Sequence, residues 1–503
     1  MRPFIYLALL FTPLALFADV QPASVFTDHL VLQRDRPIPV WGQANAGERV
    51  RVSFAGAERQ TTALQDGTWR VTLPAQAANA EGRALEIAGE NRIVLQDVLV
   101  GEVWLVSGQS NMEWRLSATF DADLDISSAS AFPSVRHFKV ARQVALSPQT
   151  NVKSDHGWAV SSAETGDFSA VAHYFARELS LHLDVPVGIV DSSWGGSAIE
   201  PWMTPQALQQ DPAWPRVDER WKKMIDDYPD KKQAFDAALA EWETRRDAAN
   251  AAGESFSERR PRGPANQNAR DYPSNLYHGM IHGLAPIELQ GVLWYQGESN
   301  ANRPDEYQTL FPSLIRDWRA VFDDEELEFY WVQLASYDAR THPDDRKWAY
   351  LREAQTQALE LPKTGDVVTL DIGDVNDIHP RNKLDVGRRL ARLALNRVYG
   401  FDIADQGPTF VSAQQEADGI RVTFEATEGK LRTPSAELLG FEIAGEDRDF
   451  APAQATIEGD TVFLQNPAVN DPVAVRYAWK NAPPGGLFNE AGLPARPFRT
   501  DDW

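Results

Sequence analysis

Two kinds of hydrophobic pattern alternate along this chain. From residue 19 to about 98, apolar positions come in short alternating runs, such as Val50-Arg51-Val52-Ser53-Phe54 and Trp69-Arg70-Val71-Thr72-Leu73. Gly42, Gly47, Gly56 and Asp66-Gly67 punctuate them. Short strands with turn signals at this spacing predict a β-sandwich-like module, with Trp41 and Trp69 in its core. From Leu99 the pattern changes. Residues 100–106 form a largely apolar strand that stops at Ser107-Gly108-Gln109-Ser110-Asn111. Residues 169–183 repeat with a helical period, and 185–190 are again apolar throughout. Strands at 289–294, 329–334 and 367–372 alternate with helices at 307–322 and 383–399. Continuous apolar strands between amphipathic helices predict an α/β fold, a parallel sheet with helices on both faces.

Two further stretches depart from that alternation. Residues 214–250 are highly charged and helical, with Trp221, Met224, Phe235, Leu239 and Trp242 as an apolar stripe. A loop rich in Arg, Pro and Asn follows, so 206–270 reads as a helical insertion. From residue 401 short β runs return, including Ile420-Arg421-Val422-Thr423-Phe424 and Thr461-Val462-Phe463-Leu464. The expected organisation is a leader (1–18), an N-terminal β module (19–98), an α/β domain in two parts (99–205 and 271–400) separated by the insertion (206–270), and a C-terminal β module (401–503).

Composition narrows the picture. A chain of 503 residues is long enough for two to four domains. Its net charge of −23 makes nucleic acid and anionic membranes poor partners. With no cysteine there is no disulfide, no thiolate nucleophile and no Cys-based zinc site. Arg2, an apolar run at 4–17 and the small Ala18 before Asp19 have the layout of a secretory signal peptide, too short for a spanning helix. The mature protein is therefore expected to be exported, periplasmic or secreted. The 16 tryptophans suit a protein that handles sugars, although most of them will serve cores.

Candidate chemistry gathers at the ends of predicted strands, where α/β sheets place their sites. Four such loops carry Ser110, Gly195-Gly196, Gln296 and His379. A serine hydroxyl needs a base, and imidazole is the usual one near neutral pH. A carboxylate must then hold the imidazole tautomer. Asp377 and Asp374 both lie close to His379 in sequence. Adjacent glycines expose backbone N–H groups to a ligand, and an amide such as Gln296 offers another donor for an oxyanion. The G-x-S-x-G elbow is not met, because Met112 stands where the second glycine would be.

GQSNMEW, SSWGGSAIEPWM, WYQGESN and DIGDVNDIHPRNK occur in this order. Together they resemble the bacterial sialate O-acetylesterase family, within the SGNH (GDSL-like) hydrolases, which includes esterases acting on acetylated plant polysaccharides. The resemblance implies an SGNH-like parallel sheet flanked by helices. By position it implies Ser110 as nucleophile, His379 as base, and the N–H groups of Ser110 and Gly196 with Gln296 as the oxyanion hole. The family commonly places the triad Asp three residues before the His, and here that residue is Asn376. Asp377 is taken as the acid, with Asp374, or a Ser–His pair helped by a carbonyl, as the alternatives. Glu298 is expected to organise the site from behind, or else to pair with an arginine such as Arg303.

The implied reaction removes acetyl groups from a carbohydrate and needs no metal and no cofactor. O-acetylated sialic acid and acetylated hemicellulose such as xyloglucan or xylan are both open as substrates. Arg115, Arg303 and Arg381 are the cations nearest the motifs, as an anionic sugar would require. A carbohydrate-binding protein without turnover is the rival reading. A peptidase or lipase has no supporting motif. The sequence leaves the oligomeric state open.

Overall fold

The computed structural model describes residues 19–338, 345–416 and 418–503. The leader expected at 1–18 lies outside the described residues. Among the described residues, no helix is long and apolar enough to cross a membrane. The chain is a mixed α/β structure whose centre is a parallel sheet of six strands. These are β1 (Arg92–Gly108), β2 (Val135–Lys139), β3 (Val187–Ser193), β4 (Gly291–Tyr295), β5 (Glu328–Val332) and β6 (Thr364–Val367). They lie in the order β2-β3-β1-β4-β5-β6, every neighbouring pair parallel. The strand Trp158–Val160 adds an antiparallel edge beside β2.

Every residue of β3, β4, β5 and β6 is buried, which explains the apolar stretches at 187–190, 291–295 and 329–332. Helices cover the sheet. The helix α1 (Ala170–Leu183) starts at Ser169, whose hydroxyl accepts the Ala172 N–H. Val171, Phe175 and Leu179 of α1 share one core with Val386, Leu390 and Leu393 of the helix Leu384–Arg397. These spacings of three and four residues put one apolar stripe of each helix against the sheet.

The strand expected at 367–372 is displaced toward its N-terminus. β6 ends at Val367, and 370–372 form a 3-10 turn instead. Arg389 is the cause: it donates to Val368 O and to both carboxylate oxygens of Asp371, drawing this segment out of the sheet.

The strand expected at 100–106 is the C-terminal part of a much longer one. β1 has 17 residues. Its first half pairs with Asn79–Ala88 (antiparallel) and Val31–Gln33 (parallel), and its second half with β3 and β4. N-terminal and central strands therefore form one continuous 11-stranded sheet, and the boundary expected at 98/99 falls inside a single strand. A separate three-stranded sheet of Gln21–Pro22, Ile38–Gln43 and Thr68–Leu73 completes the N-terminal region. At the other end, two four-stranded sheets enclose Val422, Phe441, Ile443, Val462 and Val475.

The charged stretch after residue 205 forms three helices, Pro205–Gln210, Trp214–Asp226 and Tyr228–Ala251. Leu208, Val217, Trp221 and Trp242 are buried apolar residues of these helices. Arg220 ties them down: its guanidinium bonds both carboxylate oxygens of Glu306 and one of Glu200.

Candidate active site

Three adjacent strands end level. Gly108 of β1 is in register with Ser193 of β3 and with Tyr295 of β4. The chain order changes direction around β1, the arrangement that opens a crevice at the carboxyl ends of an α/β sheet. Gly108 is required here. Its φ is +129°, and a Cβ would lie 2.2 Å from Tyr295 O. This close approach lets Tyr295 O accept the Gln109 N–H and Gly108 O accept the Trp194 N–H, so the three loops are hydrogen-bonded at their roots.

Ser110 begins a single helical turn, Ser110–Glu113. Met112 inside this turn is fully buried, and its carbonyl accepts the Ser169 hydroxyl at 2.6 Å. This anchors the turn under the sheet's crevice and leaves Ser110 half-buried at its lip. From 269 residues away, His379 Nε2 reaches Ser110 Oγ at 2.8 Å. The other ring nitrogen, Nδ1, lies 3.7 Å from Asp377 Oδ1, and the same oxygen accepts the His379 backbone N–H at 2.9 Å. Asp374 turns elsewhere: its Oδ1 accepts the Asn376 N–H. The Trp114 ring stacks on the imidazole at 5.3 Å and 19°, held by its own N–H to Ala118 O.

Burial and the nearby Lys383 hold the imidazole below its usual pKa, and Asp377 opposes them. The ring is thus neutral around pH 7, with a lone pair available at Nε2 when Nδ1 carries the proton.

The glycine loop packs directly on Ser110. A Cβ on Gly195 would lie 3.3 Å from Ser110 Cβ. Glu113 Oε2 accepts the Gly195 N–H at 2.8 Å, while Glu113 Oε1 is held by Arg142. Arg270, at the end of the insertion, donates to Gly195 O and to Gly196 O, each at 2.6 Å. In a trans peptide the N–H points away from the preceding carbonyl. Holding Gly195 O therefore aims the Gly196 N–H away from Arg270. Among the described residues, neither that N–H nor the Ser110 N–H has a protein acceptor.

Gln296 does not fill its expected place. Its side chain is fully buried, and its amide nitrogen donates to Ser197 O at 3.1 Å and to Asn300 Oδ1 at 2.8 Å. With both protons spent on the loops behind the crevice, it braces them and offers no donor to an oxyanion.

Three polar groups form a buried chain beneath the Ser110 turn. Lys383 Nζ donates to Asn111 Oδ1 at 2.6 Å. Asn111 Nδ2 donates to Glu298 Oε1 at 2.5 Å and to Ile378 O at 3.0 Å. Asn111, next to the serine, thereby grips the residue before the histidine. Burial pushes Lys383 down to about 7 and raises Glu298. Glu298 thus organises the site through Asn111, while Arg303 pairs with Glu200. The motifs containing Asn111 and Lys383 were visible in the sequence, but their contact was not.

Among the described residues there is no group of three or more His, Asp or Glu side chains placed to hold a metal ion.

Comparison with known proteins places the chain in a family. Residues 262–396 match the family model described as carbohydrate esterase, sialic acid-specific acetylesterase. The chain is 31% identical to the sialate O-acetylesterase of Mus musculus, covering 95% of this chain and 93% of that protein. It is 30% identical to the Rattus norvegicus enzyme over the same shares of each chain. A crystal structure of a carbohydrate acetylesterase from Xanthomonas citri superposes with a TM-score of 0.82 at 36% identity, covering 96% of this chain and all of that one. The chain belongs to the sialate O-acetylesterase family and is a carboxylic ester hydrolase.

Proposed function

We propose that this protein is a serine O-acetylesterase that removes acetyl groups from a carbohydrate through an acetyl-Ser110 intermediate. The observation that carries this is the 2.8 Å contact between Ser110 Oγ and His379 Nε2. His379 Nε2 takes the hydroxyl proton as Oγ bonds to the acetyl carbonyl carbon. The carbonyl electron pair moves onto its oxygen, which the N–H groups of Ser110 and Gly196 stabilise. Each such donor is worth about 3–4 kcal/mol. Collapse breaks the bond to the sugar oxygen, which leaves with the proton from Nε2. Water then gives a proton to Nε2 and attacks the acetyl-serine. Collapse of that second intermediate returns the proton to Ser110 Oγ and releases acetate. Asp377, beside Nδ1, orients the ring and stabilises its cation, as the triad logic requires.

The reading extends to an SGNH-like hydrolase domain, interrupted by the helical insertion and flanked by β modules. The relatives above are named for sialate, whose carboxylate would need a free cation. Four arginines around the crevice are paired, Arg115 with Asp167, Arg142 with Glu113, Arg270 with Asp271 and Arg303 with Glu200, while Arg381, two residues after His379, is exposed and makes no ion pair among the described residues. A neutral saccharide such as acetylated xylan or xyloglucan and O-acetylated sialic acid both stay within the proposal, with Arg381 the cation available to a sialate carboxylate. Export by the leader at 1–18 belongs to the same proposal, and N-terminal sequencing of protein recovered outside the cytoplasm tests it.

Ser110→Ala should abolish acetate release from p-nitrophenyl acetate while leaving the fold intact. Substantial activity in the folded variant would sink the assignment. Acetate release from acetylated xylan, acetylated xyloglucan and O-acetylated sialic acid then ranks the substrates.

A further inference from the structure

We propose that the N-terminal β region carries a second saccharide-binding site, distinct from the Ser110 crevice, that holds the backbone of a neutral polysaccharide. The proposal rests on the esterase reading above. It starts from a cavity of about 430 Å³ between the three-stranded sheet and two loops of the central α/β region, at Thr150-Asn151 and Pro286. That volume lies within the ~300–1,000 Å³ typical of sites for small ligands, and junctions between structural layers are where such sites concentrate.

The lining has the chemistry of a sugar site. Trp41 and Trp69 both contribute to it, although they are 7% and 3% exposed and pack as core residues. Leu64 on the rim is 62% exposed, an apolar side chain left in water. Between them stand Gln43, Thr61, Thr62 and Arg70, and among the described residues none of these four side chains has a hydrogen-bond partner in the protein. Amide, hydroxyl and guanidinium groups pair with sugar hydroxyls, and apolar surface covers the C–H faces of a pyranose. No carboxylate lines the cavity, on a chain with 72 acidic residues. That composition fits neither a cation nor a strongly basic partner.

The cavity is connected to the catalytic crevice by one loop. Arg142, at one end, bonds Glu113, which holds Gly195 N. Thr150 and Asn151, at the other end, line the cavity. Eight residues span at most about 29 Å even when fully extended. A separation within that bound is one that a polymer several sugars long can bridge. Occupying both raises the effective concentration of acetyl groups at Ser110 without any change in its chemistry.

The test uses the full chain and the double variant Gln43→Ala/Arg70→Ala, both exchanges being at partly or fully exposed positions. Calorimetry with xylohexaose and a xyloglucan heptasaccharide is run in the Ser110→Ala background. A binding event that weakens about tenfold or more in the double variant is expected, the loss of two hydrogen-bonding side chains. KM on acetylated polymer should rise severalfold, with kcat/KM on p-nitrophenyl acetate unchanged. A second variant, Leu64→Asp, should act in the same direction. Unchanged oligosaccharide binding and unchanged polymer KM in both folded variants would overturn the proposal. Failure of the esterase reading would look different, as a native protein inactive on every ester whatever the cavity binds.

Discussion

At the scale of single residues, the open point is the partner of His379. Asp377 is the carboxylate beside Nδ1, at 3.7 Å, and Asp374 caps a turn. Asp377→Asn should lower kcat on p-nitrophenyl acetate roughly 100-fold, less than the ~10⁴ seen for a fully buried triad Asp, because water already screens this one. Asp374→Asn should stay within about threefold, since it loses only a local backbone contact. The reverse ranking would transfer the role to Asp374. Lys383 makes a separate prediction. Its charge helps hold the imidazole pKa down, and activity needs the neutral ring. Removing that charge raises the pKa, so the acid limb of the kcat/KM profile should move to higher pH in Lys383→Met. The Lys383→Met/Glu298→Gln variant, which avoids a lone buried carboxylate, should move it the same way. A limb that stays in place or moves to lower pH would contradict the coupling.

At the scale of elements, the helical stretch after residue 205 is tied to the site by Arg270, which follows it. Arg270 holds two successive carbonyls of the glycine loop. Arg270→Ala should lower kcat roughly 10–100-fold, part of the value of one oxyanion donor, with KM little changed. Arg270→Lys should recover some of that loss, because an ammonium can still reach one carbonyl. A fall confined to KM, or matched by a lower melting temperature alone, would assign Arg270 to binding or folding instead. This contact also marks where sequence reasoning stops. Ser110, Gly196 and His379 were legible because each sits in a short motif at the end of an apolar strand. Arg270 is one of several arginines in a loop rich in Arg, Pro and Asn, and its role exists only through a contact across 75 residues. Gln296 shows the complementary limit. Its position at a strand end was visible, but the direction of its amide is decided by Asn300 and Ser197.

At the scale of the whole molecule, the α/β centre and the β-rich ends were readable from periodicity, because burial on both faces or on one leaves different patterns. The join between the N-terminal strands and the centre was not. The change of pattern at Leu99 reads as a border, yet one strand passes straight through it. This shared strand has a consequence for how the protein comes to be folded. As the chain grows from the ribosome, residues 19–108 emerge with the second half of β1 lacking both neighbours, which lie 79 and more residues further on. The first hundred residues cannot close by themselves into a finished unit. Their last step waits for sequence made much later, a high-contact-order assembly that is intrinsically slow. A nascent chain of this kind stays incompletely paired until nearly three hundred residues have been made, and a chaperone has that interval in which to engage it.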